Sequence, residues 1–477
     1  MRILKLITLS FIVLVCIYGC KNGTNVNSND QKTVEETRPN IVFIFADDWG
    51  WGDLSAHGHP YIKTPNIDRL VHEGTDFQRF TVASGVCSPS RVAVMTGQFP
   101  ARHNIDGHFA WVEDNARRNM PDWLDQDAIV LPRLLQESGY ATAHFGKWHL
   151  SNNMIADSPS PGEYGYDEYG AFNCSGTQMP VHEDVNNTIA FIEKSNKANK
   201  PFFINLWIHE PHTPHHVIPK YQQRFPELAE DDNIYAAIIS HADDRIGELL
   251  DALDRLEITD NTLVIFSSDN GPARAAVEVK ELKLKYDSAT GAGYDTSASK
   301  GITGGRKGYK ASLFEGGIGV PFIARWPGKI KAGVIDDTSL MSAVDLLPTF
   351  CEIANVNLPE VYNLDGISQV STLQGKTYPL RKKPLFWKYE SRWPAKTNTP
   401  NHWVSYAVVN QNWKLVANKD LSYYELYDIA LDISEKNDLK DANSGVAKRL
   451  LKEIQQWQLE LPKSPNEKLF SIERQTK

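Results

Sequence analysis

Ile41-Val42-Phe43-Ile44-Phe45-Ala46-Asp47-Asp48 is an unbroken apolar run that ends on two acids. Apolar side chains without polar alternation suit a strand covered on both faces, as in a parallel sheet. Three further strand-like runs also end in polar clusters, and the last of them is again continuously apolar. Ala141-Thr142-Ala143-His144-Phe145 leads into Gly146-Lys147-Trp148-His149, Phe202 to Ile208 leads into His209-Glu210-Pro211-His212, and Thr262-Leu263-Val264-Ile265-Phe266 leads into Ser267-Ser268-Asp269-Asn270-Gly271. Helical segments lie between them, at Asn66 to Glu73, Val130 to Ser138, Val185 to Asn199 and Asn233 to Glu257. The alternation predicts an α/β fold with a large, mostly parallel sheet and helices on both faces. Sites in open sheets of this kind form outside the carboxyl ends of the strands. Asp47 and Asp269, remote in sequence, are therefore expected to share one site.

The rest of the chain sets limits on the reading. Its 477 residues, 41% hydrophobic and 23% charged, are ordinary for a globular protein with a large core. A mean hydropathy of -0.39 excludes a multi-pass membrane protein. The formal charge of -9 argues against a nucleic-acid binder that works by neutralising phosphates, but leaves room for a local basic pocket. Residues 1–20 carry Arg2 and Lys5, an apolar stretch and Gly19-Cys20, and read as a secretory signal. The Ile17-Tyr18-Gly19-Cys20 ending resembles a bacterial lipobox, with Cys20 as the lipidated residue; the alternative is an ordinary secretion signal. Residues 21–37 are polar and Asn-rich and read as a flexible tether. The expectation is an exported protein, lipid-anchored in a bacterial envelope at the periplasm or outer-membrane surface, with no other membrane contact.

Five cysteines occur, and with Cys16 and Cys20 in the leader only Cys87, Cys174 and Cys351 remain. Their spacing matches no zinc motif, and at least one is unpaired. After about Arg381 the chain changes character. Leu385 to Tyr389, Trp403 to Asn410 and Asn412 to Ala417, with a turn at Asn410-Gln411, read as aromatic-rich strands; Glu425 to Asp428 and an amphipathic helix from Gly445 to Leu461 follow. The expected organisation is a catalytic domain over 38–380 and, over 381–477, a C-terminal subdomain with a small antiparallel sheet and one helix.

Cys87-Ser88-Pro89-Ser90-Arg91, followed by Val92 to Gly97, resembles the activation signature of type I, formylglycine-dependent sulfatases of the alkaline-phosphatase-like superfamily. Other blocks match in order: Asp47-Asp48, Gly146-Lys147-Trp148-His149, Pro211-His212-Thr213-Pro214, Ser268-Asp269-Asn270-Gly271, Lys310 five residues before Glu315-Gly316-Gly317, and Glu425-Leu426-Tyr427-Asp428. The resemblance runs from about Arg38 to the C-terminus. It implies that a formylglycine-generating maturase oxidises Cys87. One hydroxyl of the resulting hydrate would attack sulfur and the other would expel sulfate. A helix N-terminus at Cys87 also favours an anion.

By the same resemblance Arg91 orients the nucleophile, and Lys147 and Lys310 contact sulfate oxygens; the spacing to Glu315 selects Lys310 over Lys307. His149 would help deprotonate the hydrate and His212 would protonate the leaving oxygen. Asp47, Asp48, Asp269 and Asn270 offer only oxygen ligands, which suits one Ca2+ per chain better than Zn2+, and the modified Cys87 would complete the set. The sequence thus points to hydrolysis of sulfate esters on carbohydrates, with sulfated polysaccharide fragments as substrate. His103, His108, Trp111, Arg392 and Trp393 are candidate pocket-rim residues. The alternatives are a phosphodiesterase or phosphonate hydrolase of the same superfold and an inactive glycan-binding lipoprotein, because fold alone does not separate them.

Overall fold

The computed structural model describes residues 38–152, 155–173, 181–273, 284–287, 291–294, 300–376, 381–391, 401 and 403–476. The leader and tether expected over 1–37, with Cys20, lie outside the described residues, as do Cys174, Arg392 and Trp393. Eight strands form one sheet: β1 (Asn40–Ala46), β2 (Thr75–Phe77), β3 (Ala141–Lys147), β4 (Glu168–Phe172), β5 (Phe202–Trp207), β6 (Thr262–Ser268), β7 (Phe322–Arg325) and β8 (Val334–Asp336), in the order β8-β2-β7-β6-β1-β5-β3-β4. Neighbours are parallel except where β7 pairs with β2 and β6. The four apolar runs of the sequence are the central strands β1, β3, β5 and β6. The flanking strands β2, β4, β7 and β8, not among those runs, are short or half-polar.

Alternate side chains of β1 go to opposite faces, as strand geometry requires. Ile41, Phe43 and Phe45 join one buried cluster and Val42, Ile44 and Ala46 join another. On the second face lie α1 (Pro65–Glu73), α4 (Asp184–Lys197) and α5 (Glu230–Arg255), which contribute Ile67, Leu70, Phe191, Ile192, Ile239, Ile246 and Leu250. The first face is covered by α2 (Cys87–Thr96), α3 (Leu131–Glu137) and α6 (Leu346–Ile353), and by the C-terminal strands. Both faces are thus closed, which is why the central strands are buried along their whole length and β1 and β6 are apolar through their middles.

The C-terminal sheet contains β9 (Leu385–Lys388), β10 (Tyr406–Asn410), β11 (Trp413–Ala417) and β12 (Tyr424–Asp428), all antiparallel and in sequence order, with α7 (Ser444–Glu460) against it. The turn sits one residue later than expected, at Gln411-Asn412, because Asn410 still pairs with Trp413 and Gln411 takes the left-handed conformation at φ 58°. This sheet is tied to the large one by polar contacts. Trp387 Nε1 donates to Val82 O at 2.7 Å, and Lys388 Nζ meets Asp106 Oδ2 at 2.6 Å. Deepest of all is Lys414, fully buried, with Nζ 2.8 Å from Glu315 Oε1 and 2.9 Å from Glu435 Oε1.

Removing Lys414 leaves two buried carboxylates facing each other without their cation. Deleting one partner of a buried ion pair typically costs about 3–5 kcal/mol. Lys414→Ala should therefore lower the unfolding free energy by about that amount in a denaturant titration. A loss within experimental error would show that the triad carries no stability.

Candidate active site

Register brings the polar strand ends together. β1 and β6 run in step from Asn40 opposite Thr262 to Ala46 opposite Ser268, and Asp269 N then donates to Ala46 O at 3.0 Å. Asp48 N donates to Asp269 Oδ1 at 3.2 Å, and Asn270 Nδ2 to Asp48 Oδ1 at 2.7 Å. Asp48 sits at φ 66° and His149 at φ 51°, a left-handed backbone that non-glycine residues rarely adopt and that clusters at functional sites. Gly146, the residue before Lys147, has φ 102°, and a Cβ there would lie 2.1 Å from Trp207 O. Only glycine lets β3 reach the site along β5.

Cys87 opens α2 and is 3% exposed. It lies within 4.8 Å of ligand atoms of Asp47 and Asp269, which lie equally close to each other. The loop after the helix folds back over it: Phe109 N donates to Ser88 Oγ at 3.0 Å. Arg91, one turn on from Cys87 and fully buried, donates through Nη2 to Asp269 Oδ2 at 2.6 Å and through Nη1 to Lys147 O at 3.1 Å. Its guanidinium carbon lies 4.9 Å from the centroid of the Trp207 ring. Lys147 Nζ donates to Asp47 Oδ2 at 2.5 Å, and Lys310 Nζ to Asp48 Oδ2 at 2.7 Å. Lys307 points elsewhere, onto Glu425 Oε2 at 2.8 Å.

Burial and opposed charges compete at each group. Desolvation works against the Asp47 carboxylate, yet the neighbouring permanent cations Lys147, Arg91 and Lys310 hold it well below the ordinary carboxylate range. Asp269 goes the other way, pushed up to about 6 by burial and then by the neighbouring Asp47 charge. Burial raises the Cys87 thiol as well, against the pull of Lys147 and Lys310. His149 and His212 are both held well below the usual imidazole value, first by desolvation.

The two histidines differ in which nitrogen is committed. His149 Nε2 contacts Phe109 O at 3.0 Å, so it carries the proton, and Nδ1 is buried without a hydrogen-bond partner. His212 Nδ1 donates to Thr213 O at 2.5 Å, while Nε2 lies 3.8 Å from Asp48 Oδ2. Two residues at the site went unassigned in the sequence. Asn173 Oδ1 accepts from His149 N at 2.6 Å, and His209 Nδ1 is 4.0 Å from Asp47 Oδ2. The position of Asn173 at the carboxyl end of a strand was the signal available. Of the rim candidates, the His108 ring centroid is 6.3 Å from that of His149 and Trp111 is 49% exposed. His103 has a buried Nε2 without a hydrogen-bond partner, and Arg392 and Trp393 lie outside the described residues.

Asp47, Asp48, Asp269 and Asn270 are all at most 3% exposed, and Asn270 Oδ1 is buried with no hydrogen-bond partner. An all-oxygen donor set with an uncommitted carbonyl fits a hard divalent cation such as Ca2+.

The Sulfatase family profile matches residues 39–356, and a profile described as N-sulphoglucosamine sulphohydrolase, C-terminal, matches 307–460. The chain belongs to the sulfatase family. It is 31% identical to N-acetylgalactosamine-6-sulfatase of Canis lupus familiaris, over 73% of this chain and 68% of the relative. To N-acetylgalactosamine-6-O-sulfatase of Bacteroides thetaiotaomicron it is 26% identical, over 90% and 94%. Among solved structures it resembles Ps i-CgsB in complex with k-i-k-neocarrahexaose, at 27% identity and a TM-score of 0.70, covering 88% of this sulfatase and 92% of that chain.

The environment of Cys87 in this sulfatase makes a poor thiolate, because its charged form is disfavoured by burial. Reactivity follows the thiolate. In chain produced without a maturase, Cys87 should resist alkylation at neutral pH while folded and react readily in denaturant, as read by peptide mass spectrometry. Rapid labelling of Cys87 in the folded state would contradict the site as described.

Proposed function

We propose that this sulfatase hydrolyses sulfate esters on carbohydrates, with Cys87 matured to formylglycine and one Ca2+ held by Asp47, Asp48, Asp269 and Asn270. The observation that carries the reading is the meeting of Cys87, at a helix N-terminus, with carboxylates and the cations Lys147 and Lys310 in one buried site. The formylglycine supplies a nucleophile that resets itself, which a thiol or serine does not. The bound Ca2+ supplies Lewis acidity and a template for the sulfate.

The protein's own side chains do the rest. Lys147 and Lys310 neutralise the anionic oxygens of the ester. Arg91 locks Asp269 and the Lys147 carbonyl in place, so ligand and cation keep a fixed spacing. His149 offers Nδ1 as the basic nitrogen, its tautomer set by the Phe109 carbonyl. His212 offers Nε2 toward the leaving oxygen, with Nδ1–H committed to Thr213 O. In the free protein its low pKa keeps it neutral, and the negative charge of a bound sulfate favours the protonated form needed to deliver a proton.

The saccharide assignment rests on the relatives named above, which makes N-acetylgalactosamine 6-sulfate the first substrate to test. It is supported by His108 and Trp111 beside the nucleophile loop, an exposed indole being suited to stack on a sugar face. Next to that loop, a polar cavity of about 280 Å³ is lined by Asp106, Arg118, Lys388, Tyr389 and Lys419, among others. Lys388 is paired with Asp106 and Lys419 with Glu390 there, but basic groups outnumber acidic ones in the lining, which suits an anionic saccharide. The 1–20 leader and Cys20 place the enzyme, in this reading, on a lipid anchor in the cell envelope, reached by fragments of sulfated polysaccharide.

Peptide mass spectrometry of chain co-produced with a maturase should find an aldehyde at position 87. Cys87→Ala should keep the fold and lower kcat on a sulfated sugar by more than about 10⁴-fold. Wild-type-like sulfate release by that variant would sink the mechanism. His212→Ala should cost about 10²–10⁴-fold on sugar sulfates and much less on aryl sulfates, whose leaving group needs no proton. Exhaustive chelation of calcium should abolish turnover, and Asp269→Ala should lower the bound calcium; activity indifferent to chelation would refute the metal assignment.

A further inference from the structure

His182, Glu210 and His241 form a second polar cluster, distinct from the ligands around Cys87. Each offers one ligand atom, and these atoms all lie within 4.8 Å of one another. They come from three elements: His182 from the turn before α4, Glu210 from the segment after β5, and His241 from the middle of α5. The Glu210 and His241 side chains are 8% and 6% exposed. The imidazole rings of His182 and His241 have centroids 4.9 Å apart, at 74° to each other.

These groups are close, and Glu210 and His241 are near enough for an ion pair. Glu210 Oε1 is 3.6 Å from His241 Nδ1, longer than a well-formed hydrogen bond, and His241 helps hold the Glu210 carboxyl below its ordinary value against burial. Nδ1 of His182 and Nδ1 of His241 are both buried without a hydrogen-bond partner, and so is Oδ2 of the nearby Asp184. Buried polar atoms left in that state are costly and call for a partner.

Two imidazoles and one carboxylate are a donor set for a borderline cation of the zinc class, and unlike the all-oxygen set around Asn270 they do not suit Ca2+. Around a tetrahedral zinc with bonds of about 2.0–2.1 Å, donor atoms stand roughly 3.3 Å apart. The 3.6 Å between Glu210 and His241 is already close to that spacing. We propose that His182, Glu210 and His241 bind a zinc-class divalent ion, and that this ion anchors the segment that presents His212. Glu210 is the link. Its carbonyl accepts from Asp47 N at 3.3 Å, and two residues on His212 N donates to His209 O at 2.9 Å. With its side chain on a metal and its carbonyl on Asp47, Glu210 holds His212 from both sides.

The test uses the full chain, incubated with zinc or cobalt and desalted. One zinc per chain is expected by elemental analysis, and the cobalt form should show visible d–d bands. Glu210→Gln, His182→Gln and His241→Gln should each lose the bands and the zinc while calcium content stays at the wild-type level, with folding checked by circular dichroism. Should a histidine variant fail to fold, Glu210→Gln, the same shape without the charge, decides the matter. Failure of the wild-type chain to take up zinc or cobalt would overturn the site. So would zinc that survives Glu210→Gln but leaves with His212→Gln, because the ion would then sit on Asp47, His209 and His212. For the anchoring role, which rests on the reading of His212 as proton donor, Glu210→Gln should lower kcat on a sugar sulfate at least tenfold more than on an aryl sulfate. Equal losses on both substrates would refute it. Because the site is read by metal content, its failure leaves the assignment of Cys87, read by mass and turnover, standing.

Discussion

The carboxylates of Asp47, Asp48 and Asp269, held against Arg91, Lys147 and Lys310, are the interaction around which the structure is organised. Each of these groups is costly to bury alone, and removing any one would leave its partner an uncompensated charge in a low-dielectric interior. The strands, the nucleophile helix and the loop bearing Lys310 must all arrive in register for the charges to cancel. The same requirement explains the local strain. Asp48 accepts a left-handed backbone, and Gly146 gives up its side chain, so that carboxylate and ammonium meet where β1, β3 and β6 end.

Burial also decides what the histidines do. In water an imidazole near neutrality is a mixture of charge states and tautomers. Here desolvation makes His149 and His212 neutral, and a single carbonyl contact to each fixes the tautomer: Phe109 O takes Nε2 of one, and Thr213 O takes Nδ1 of the other. Two identical side chains at one site therefore present opposite nitrogens, Nδ1 of His149 and Nε2 of His212, each a bare acceptor in the neutral ring. Which nitrogen is offered comes from backbone geometry and not from residue type; a proton on His212 Nε2 has to be acquired.

The central sheet was legible because closure on both faces lets β1, β5 and β6 be written mostly in apolar residues, with Asn205 the one polar residue inside β5. The flanking strands were not. Thr75–Phe77 is only three residues, and Glu168–Phe172 alternates half-buried and exposed positions at the sheet margin, with only Phe172 buried. α6 was missed because it is short, eight residues, with Leu346 to Cys351 all buried. At the site, strand-end acids and the Cys87 signature announced themselves through spacing, and the structure brings Asp47, Asp48, Cys87, Arg91, Lys147, Asp269, Asn270 and Lys310 together. Asn173, His209 and Glu210 stand at strand ends, but what they touch, and their meeting with residues such as His182 and His241, is set by tertiary contact, which no local pattern records.

The buried Lys414 bears on how this architecture can be recombined. Its partners are Glu315, on the segment that also carries Lys310, and Glu435, beyond the C-terminal sheet. The profile matching 307–460 begins in that same segment. A cut placed where the small sheet starts, near residue 381, would separate Lys414 from Glu315 while leaving Glu435 beside it, and join surfaces that never shared a charge. The exchangeable module in a chimeric enzyme is therefore longer than the C-terminal sheet itself. It must carry the loop from Lys307 to Glu315, so that grafting a new saccharide rim also imports one of the cations of the catalytic pocket.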